Sequence, residues 1–247
     1  MPDHRQPSPN TRYTIQDAVV GAFGIFFTQS PSFLEYQRRL PHTQRRHNAQ
    51  TLLGVEQSPC DKQVRPLLEP LTPSYLAPVV ETIFQELEQH GRCDHFRVLG
   101  DHRLVALAGT TSFASKTIHG PPCLTRQLTH GHTLSSHTAL TPVIVCSGRP
   151  DVIALPPEYI LPQAGEAQQD GEQQAGKRGL SPPAQAVAPP QMTIRGDALY
   201  SKQPVCAWAQ HQGLHGILTC QPDTHPTFYE RFAFWQANDR MAERERT

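Results

Sequence analysis

Asp197 is the first residue to consider for chemistry, because it follows a short apolar strand and a glycine. It lies within the stretch Thr193–Ser201, where Met192–Ile194 predicts a strand and Gly196 allows a sharp turn. In α/β sheets the carboxyl ends of strands face the ligand crevice, so a carboxylate there can hold a metal ion or act on a substrate. The alternative is that Asp197 only caps a turn or the next helix, which is a common use of aspartate. On this stretch alone, the capping role is favoured.

Length and composition indicate one domain or two small ones. Of the 247 residues, 37% are hydrophobic and 18% are charged, which permits a core in a rather polar chain. The net charge is zero, so a general attraction to nucleic acid is not indicated. Residues 1–65 nevertheless carry eight Lys and Arg against five acids, including the pairs Arg38-Arg39 and Arg45-Arg46, which can meet phosphates. An ordinary solvated face is the favoured interpretation of so small an excess.

The cysteines and the apolar runs indicate the cellular compartment of the protein. Six cysteines are scattered along the chain without a signal peptide before them, which favours a reduced, cytoplasmic setting over a disulfide framework. The longest apolar run, Ala18 to Phe27, is too short to span a bilayer, so no membrane partner is expected. A hydrolase that uses Cys206 or Cys220 with a histidine is an alternative function, but no nearby His-Cys arrangement supports it.

Helical periodicity dominates residues 13–95, which follow a polar tail at residues 1–12 that we expect to be disordered. Helices are predicted from Ile15, from Ser32 and from Leu76, the last one stopping at Gly91. We expect two apolar stripes to be buried; their members are Ile15, Ala18, Val19, Ala22, Phe23 and Phe26 in the first helix, and Leu76, Val79, Val80, Ile83, Phe84 and Leu87 in the third.

The period changes beyond His95, where apolar runs predict strands. The predicted strands are Leu104–Ala108, Thr133–His137, Leu140–Cys146, Met192–Ile194 and Gly216–Cys220. Helices are predicted to end near Lys177-Arg178 and to span 205–212 and 227–235. This order indicates an α/β fold with a mixed sheet, in which the second and third strands form an antiparallel meander with the first. We expect the first and the fourth strands to be adjacent, so that Ala108 and Asp197 lie close together.

Three groups of residues resemble the bacterial insertion-sequence transposases of the DDE type. They are Phe26–Leu34, Gly109–His119, and Gly196–Ser201 together with Gln221–Pro226, and they occur in the family's order from about Ile15 to the end of the chain. The resemblance implies an RNase H-like catalytic domain at residues 96–247, preceded by the helical region. It also implies a function in cutting and joining the DNA ends of an insertion element, with Mg²⁺ or Mn²⁺ as cofactor.

The resemblance assigns the acidic residues of such a site. The family uses three carboxylates to hold two metal ions, and Asp197 corresponds to the second of them. The first should precede Gly109, where the family has Asp-Gly-Thr, but this chain has Ala108. The third, a glutamate, lies in the family beyond the point that corresponds to Thr247, so we expect a partial catalytic domain. Two functions stay open, a transposase and a non-catalytic DNA-binding or interaction remnant of one, and Ala108 favours loss of activity.

The remaining expectations concern DNA contacts and a second metal. The residues expected to contact DNA are Arg38, Arg39, Arg45, Arg46 and Lys116, while the oligomeric state, including a homo-oligomer, stays open. The side chains of His119, Cys123, His130 and His132 offer ligands that suit zinc, but a loop without metal is favoured because their spacing matches no familiar pattern.

Three further acidic or basic positions have structural interpretations. Glu172 follows the Gln169-Asp170 pair and is expected on a solvated helix face. Asp223 and His225 precede a predicted helix, and capping of that helix is favoured over contact with a phosphate.

Overall fold

The computed structural model describes residues 3–6, 8–9, 11–39, 51, 53–54, 59–98, 100–121, 123–129, 131–162, 171–181 and 192–238. The chain divides into two compact units, Met1–Tyr75 and Leu76–Thr247. The predicted fold class is confirmed, because a mixed sheet flanked by helices occupies the second unit and helices form the first. This architecture is consistent with an RNase H-like fold.

The N-terminal unit contains the helices α1 (Ile15–Phe27), α2 (Phe33–Arg39) and α3 (Asp61–Leu68). Thr14 begins α1 with a capping box, in which its hydroxyl accepts from Asp17 N at 3.0 Å and Asp17 accepts from Thr14 N at 2.8 Å. Ile15 and Ala18 of α1 pack against Leu67 of α3 to form a small core. Helix α3 was not predicted, since it is short and contains Pro66.

The apolar stripe predicted for α1 is only partly buried. Ile15 and Ala18 are buried as expected, but the side chains of Phe23 and Phe26 are 52% and 80% exposed. Gly24 is buried in their place, because Tyr36 of α2 packs so closely that a Cβ on Gly24 would lie 2.2 Å from the tyrosine oxygen. The second half of the helix therefore packs through a glycine rather than through its phenylalanines.

Helix α4 (Ala77–Gln89) groups with the second unit, although the sequence places it with the helices before it. Phe84 is buried in the core of that unit, and Leu87 packs against this core. The other side of the predicted stripe is exposed, including Val79 and Ile83, so the expectation of a fully buried stripe is wrong. Gly91, with a φ of 66°, follows the end of the helix as predicted.

The described residues of the second unit continue with strands and further helices. The strands are β1 (Arg97–Val98), β2 (His102–Ala106), β3 (Gly109–Ser115), β4 (Leu124–Gln127), β5 (Thr133–Leu140), β6 (Val143–Val145), β7 (Ile153–Ala154), β8 (Glu158–Ile160), β9 (Met192–Gly196) and β10 (His215–Leu218). The helices are α5 (Glu172–Gly179), α6 (Gln203–His211) and α7 (Pro226–Ala237).

The first sheet has the strand order β10-β9-β2-β6-β7, with β1 also paired to β2. Strands β2, β9 and β10 run parallel, and β6 is antiparallel to β2. The prediction that the first and the fourth strands are adjacent is confirmed, since β2 pairs directly with β9 and Ala106 lies opposite Arg195. Strand β10 lies one position further out, beside β9.

A second sheet of order β3-β5-β4, with β8 on β5, receives the chain directly after β2. The predicted meander is therefore partly wrong, because the strand at Thr133–Leu140 pairs with β3 rather than with β2. Only Leu107 and Ala108 separate β2 from β3, so the backbone leaves the first sheet within these two residues. Strand β3 was missed because it is almost entirely exposed and lacks an apolar alternation.

The core of the second unit joins both sheets and the helices. Its fully buried members include Val105 of β2, Leu140 of β5, Ile144 of β6 and Met192 of β9.

Within the part of the chain that the structure describes, no helix is both long enough and apolar enough to cross a membrane.

Candidate functional site

Ala108 and Asp197 occupy the same edge of the first sheet. The parallel pair Ala106↔Arg195 is the last registered pair of β2 and β9, and Leu107 N still donates to Arg195 O at 3.0 Å. Two residues beyond this pair on each strand are Ala108 and Asp197, both of them exposed. Since carboxyl ends of parallel strands open onto the ligand crevice of an α/β sheet, this edge is the candidate functional site.

Asp197 holds its own turn at this edge. Its Oδ1 accepts a hydrogen bond from Leu199 N at 2.8 Å, while its backbone oxygen accepts from Tyr200 N at 3.1 Å. Such an aspartate turn is the capping role that the sequence favours. The carboxylate remains exposed, so its second oxygen can still face a ligand.

Glu172 is brought to the site and was missed as a functional residue. It is the first residue of α5 and half-buried, and its Oε1 accepts from Gly109 N at 3.1 Å and from Tyr200 hydroxyl at 3.0 Å. The expectation of a solvated helix face at Glu172 is therefore wrong. A signal was present in the sequence, because an acid at the start of a helix, where the dipole favours it, is also placed to meet a neighbouring loop.

Two glycines allow this close arrangement. A Cβ on Gly109 would lie 2.6 Å from Glu172 Oε2, and a Cβ on Gly196 would lie 2.8 Å from Tyr200 Cβ. Both glycines are next to the two residues that define the candidate site, since Gly109 follows Ala108 and Gly196 precedes Asp197. Glycine at these two positions therefore lets the backbone pack closely against Glu172 and Tyr200.

Tyr200 lies beneath the site, with 2% of its surface exposed. Burial raises the pKa of its hydroxyl well above the ordinary value, and the negative charges of Glu172 and Asp197 add to this effect. The phenol therefore stays protonated and donates to Glu172. Gln173 makes a second link, because its side-chain nitrogen donates to Leu199 O at 2.6 Å.

His225 joins the loop after β10 to the loop after β9. Its Nε2 lies 3.0 Å from Ser201 O, so this nitrogen carries the proton, and its Nδ1 lies 2.9 Å from Thr224 Oγ1. His225 occupies the N-cap position of α7, but no side-chain cap bond is formed there, and Asp223 is exposed. The expected side-chain capping by these two residues is therefore wrong, and His225 connects two loops instead.

The residues at this edge do not fit a two-metal site. The side chain of Ala108 supplies no oxygen ligand, Asp197 uses one oxygen for its own turn, and Oε1 of Glu172 accepts from both Gly109 and Tyr200. Within the described ranges, no group of three or more His, Cys, Asp or Glu side chains is placed to hold a metal ion. A Mg²⁺ ion usually needs one or two carboxylates together with substrate phosphates, so Asp197 alone is a weak ligand set.

Among the residues expected to contact DNA, Arg38 and Arg39 belong to the first unit and Lys116 belongs to the second. Arg38 and Arg39 are exposed on α2, where Arg39 Nε pairs with Glu35 at 2.8 Å. Arg45 and Arg46 lie outside the described residues. Lys116 is exposed just beyond β3, roughly 26 Å along that strand from Ala108.

Among the described residues, neither the alternative cysteine site nor the zinc site is assembled. Cys123 contacts His137 instead of the expected histidines, with 3.2 Å between Sγ and Nε2, and His130 lies outside the described residues. Cys206 Sγ is 3.5 Å from Ser201 O, the same oxygen that His225 Nε2 contacts, and none of the described hydrogen bonds of this thiol goes to a histidine.

Comparisons with known proteins give little further information. No protein-family model matches the chain, and no curated protein matches it. Among solved structures, one similar chain comes from the crystal structure of a pre-cleavage Mos1 transpososome. The identity is 13% over all of this chain and 71% of that one, with a TM-score of 0.19, and a similarity of this size carries no argument about fold or function.

The hydroxyl of Tyr200 gives a testable prediction. Replacing it in Tyr200→Phe removes one donor to Glu172, and we expect a loss of about 0.5–1.5 kcal/mol in unfolding free energy at pH 8. The pKa of Tyr200 is higher in the folded protein than in the unfolded chain. Its hydroxyl therefore contributes fully to the free energy of unfolding below about pH 10. Above that pH the unfolded tyrosine ionises, and the contribution falls by up to about 1.4 kcal/mol per pH unit. The difference between the two proteins should therefore shrink at pH 11, measured by urea unfolding.

Tyr159→Phe is the matched control for this measurement, since Tyr159 lies on β8 of the same unit. Its hydroxyl forms no hydrogen bond in the described part of the structure, so the change should leave the pH dependence intact. Equal responses of the two variants at both pH values would contradict the assignment.

Proposed function

We propose that this chain is a transposase-type protein that binds DNA without cutting it. The single observation that carries the proposal is the position of Ala108 beside Asp197 on the same edge of the sheet. The resemblance in three separate segments supports a DDE origin, and under it Ala108 stands where the first metal-binding acid belongs. An alanine has no oxygen to offer a metal ion.

The contacts around this edge support the loss of catalysis. Glu172 is a second carboxylate at this edge, and it accepts hydrogen bonds from Gly109 and Tyr200. Both hydrogen bonds end on Oε1, so a metal ion at this oxygen would compete with the two donors, and only Oε2 remains for coordination. Binding rather than strand transfer is then the function that the remaining residues can perform.

DNA as the partner rests on the resemblance and on the basic residues of the N-terminal unit. Several of these side chains are exposed, among them Arg12, Arg38 and Lys62. Because the net charge of the chain is zero, we expect the attraction to phosphates to be local and modest. A transposase that still cuts DNA is the alternative, and it requires metal ligands that these residues do not supply.

DNA binding that weakens steeply with salt is the first expected outcome. Each phosphate contact releases counterions, so the logarithm of the affinity should fall linearly with the logarithm of the salt concentration. The measurement is fluorescence anisotropy of a labelled duplex titrated with the full chain over a series of salt concentrations. Binding that ignores salt, or no binding at the lowest salt, would refute the proposal.

The absence of DNA cleavage is the second expected outcome. A supercoiled plasmid incubated with the chain should remain unnicked in Mg²⁺ and in Mn²⁺, because Ala108 and the engaged Glu172 leave no two-metal site. We expect Ala108→Asp alone to remain inactive as well, since it adds one carboxylate and frees none. Asp197→Ala is the control; nicking by the unmodified chain that this substitution abolishes would mean that the site is catalytic.

A further inference from the structure

An open cleft of about 520 Å³ lies in the N-terminal unit, between the chain before α1 and the start of α3. Its polar lining consists mainly of Arg5, Thr11, Arg12, Tyr13, Lys62 and Gln63. None of the described residues that line this cleft is acidic. The cleft therefore combines three cationic side chains with uncharged donors, a combination that favours an anionic ligand.

The three cations of the cleft differ in what they already contact. Arg5 is engaged, because its guanidinium pairs with Asp3 at 2.6 Å and donates to Tyr13 O at 2.8 Å. Arg12 and Lys62 are exposed and form no hydrogen bond or ion pair within the described part of the chain. Arg5 thus fixes the wall of the cleft, while Arg12 and Lys62 keep their charges available for a ligand.

The position of Lys62 adds to the local potential. It lies in the first turn of α3, which begins after Cys60 and is stabilised there by Gln63, whose side chain accepts from Cys60 N at 3.2 Å. The N-terminus of a helix carries a partial positive charge that attracts an anion in the same direction as Lys62, while the exposed Asp61 in the same turn opposes part of this attraction.

We propose that this cleft, through Arg12 and Lys62, is where the chain holds the phosphodiester backbone of DNA. The inference rests on the proposed DNA binding and gives it a site other than the Arg38-Arg39 pair that the sequence suggested. A volume of about 520 Å³ is in the range of roughly 300–1,000 Å³ that holds ligands larger than a single ion, which fits a backbone segment better than a free phosphate. At α2, by contrast, Arg39 is already paired with Glu35.

Two matched double variants of the full chain test the site. Arg12→Gln/Lys62→Gln and Arg38→Gln/Arg39→Gln each remove two positive charges from the same unit. In the anisotropy titration with a labelled duplex, the cleft variant should lose affinity and its salt dependence should become shallower by about 1.8 in log–log slope, at about 0.9 per phosphate contact. The α2 variant should keep the slope of the unmodified chain. Thermal unfolding of both variants checks that they remain folded.

The outcomes separate this inference from the proposed function. If the salt dependence becomes shallower in the α2 variant and not in the cleft variant, the cleft is not the DNA site, but the proposed DNA binding stands. No DNA binding by the unmodified chain at low salt overturns both. A further arm adds inorganic pyrophosphate: stabilisation of the unmodified chain against heat that the cleft variant loses, without any difference between them in DNA affinity, would show a small-anion site and overturn the polynucleotide assignment.

Discussion

The structure of the candidate site depends on one carboxylate, that of Glu172, which links three segments distant in sequence. It accepts from Gly109 N at the start of the second sheet and from the hydroxyl of Tyr200 in the loop after β9. A buried tyrosine hydroxyl without a partner would be costly, so Glu172 stabilises the position of Tyr200 as well as that of the β2–β3 junction. Gly109 and Gly196 provide the space for this arrangement, since a side chain on either would collide with Glu172 or Tyr200. The edge that carries Ala108 and Asp197 is thus held by hydrogen bonds within the protein.

Under the proposed function, this arrangement explains how the sheet edge keeps its structure without metal ions. Two facing carboxylates in a metal site repel each other until a cation binds, and that repulsion makes the site depend on its metal. With alanine at position 108, no carboxylate from this position repels Asp197. The negative charge of Glu172 is stabilised by its two hydrogen-bond donors, Gly109 N and the hydroxyl of Tyr200. The fold at this edge therefore needs no metal ion for its stability. Under the proposed function, the charges of the N-terminal unit contribute more to DNA binding than this edge does.

The sequence predicted the central sheet better than it predicted the site. Continuous apolar runs such as Leu104–Ala108 predict buried strands. The predicted adjacency of the first and fourth strands correctly brought Ala108 and Asp197 to the same edge of the sheet. Strand β3 was missed because its residues are exposed and its pairing with β5 depends on the chain leaving the first sheet at Ala108. Phe23 and Val79 were wrongly predicted to be buried, since periodicity marks an apolar face without saying what covers it. Glu172 was missed because its hydrogen bonds join residues 63 and 28 positions apart, which no local pattern reveals.

Titration of the chain with Mn²⁺ by isothermal calorimetry tests most directly whether Ala108 has removed the metal site. The account predicts no saturable binding to the unmodified chain, saturable binding to Ala108→Asp, where two carboxylates lie on adjacent strand ends, and its loss again in Ala108→Asp/Asp197→Ala. Saturable Mn²⁺ binding by the unmodified chain that Asp197→Ala abolishes would contradict the account, because the edge would then hold a metal ion without the first acid.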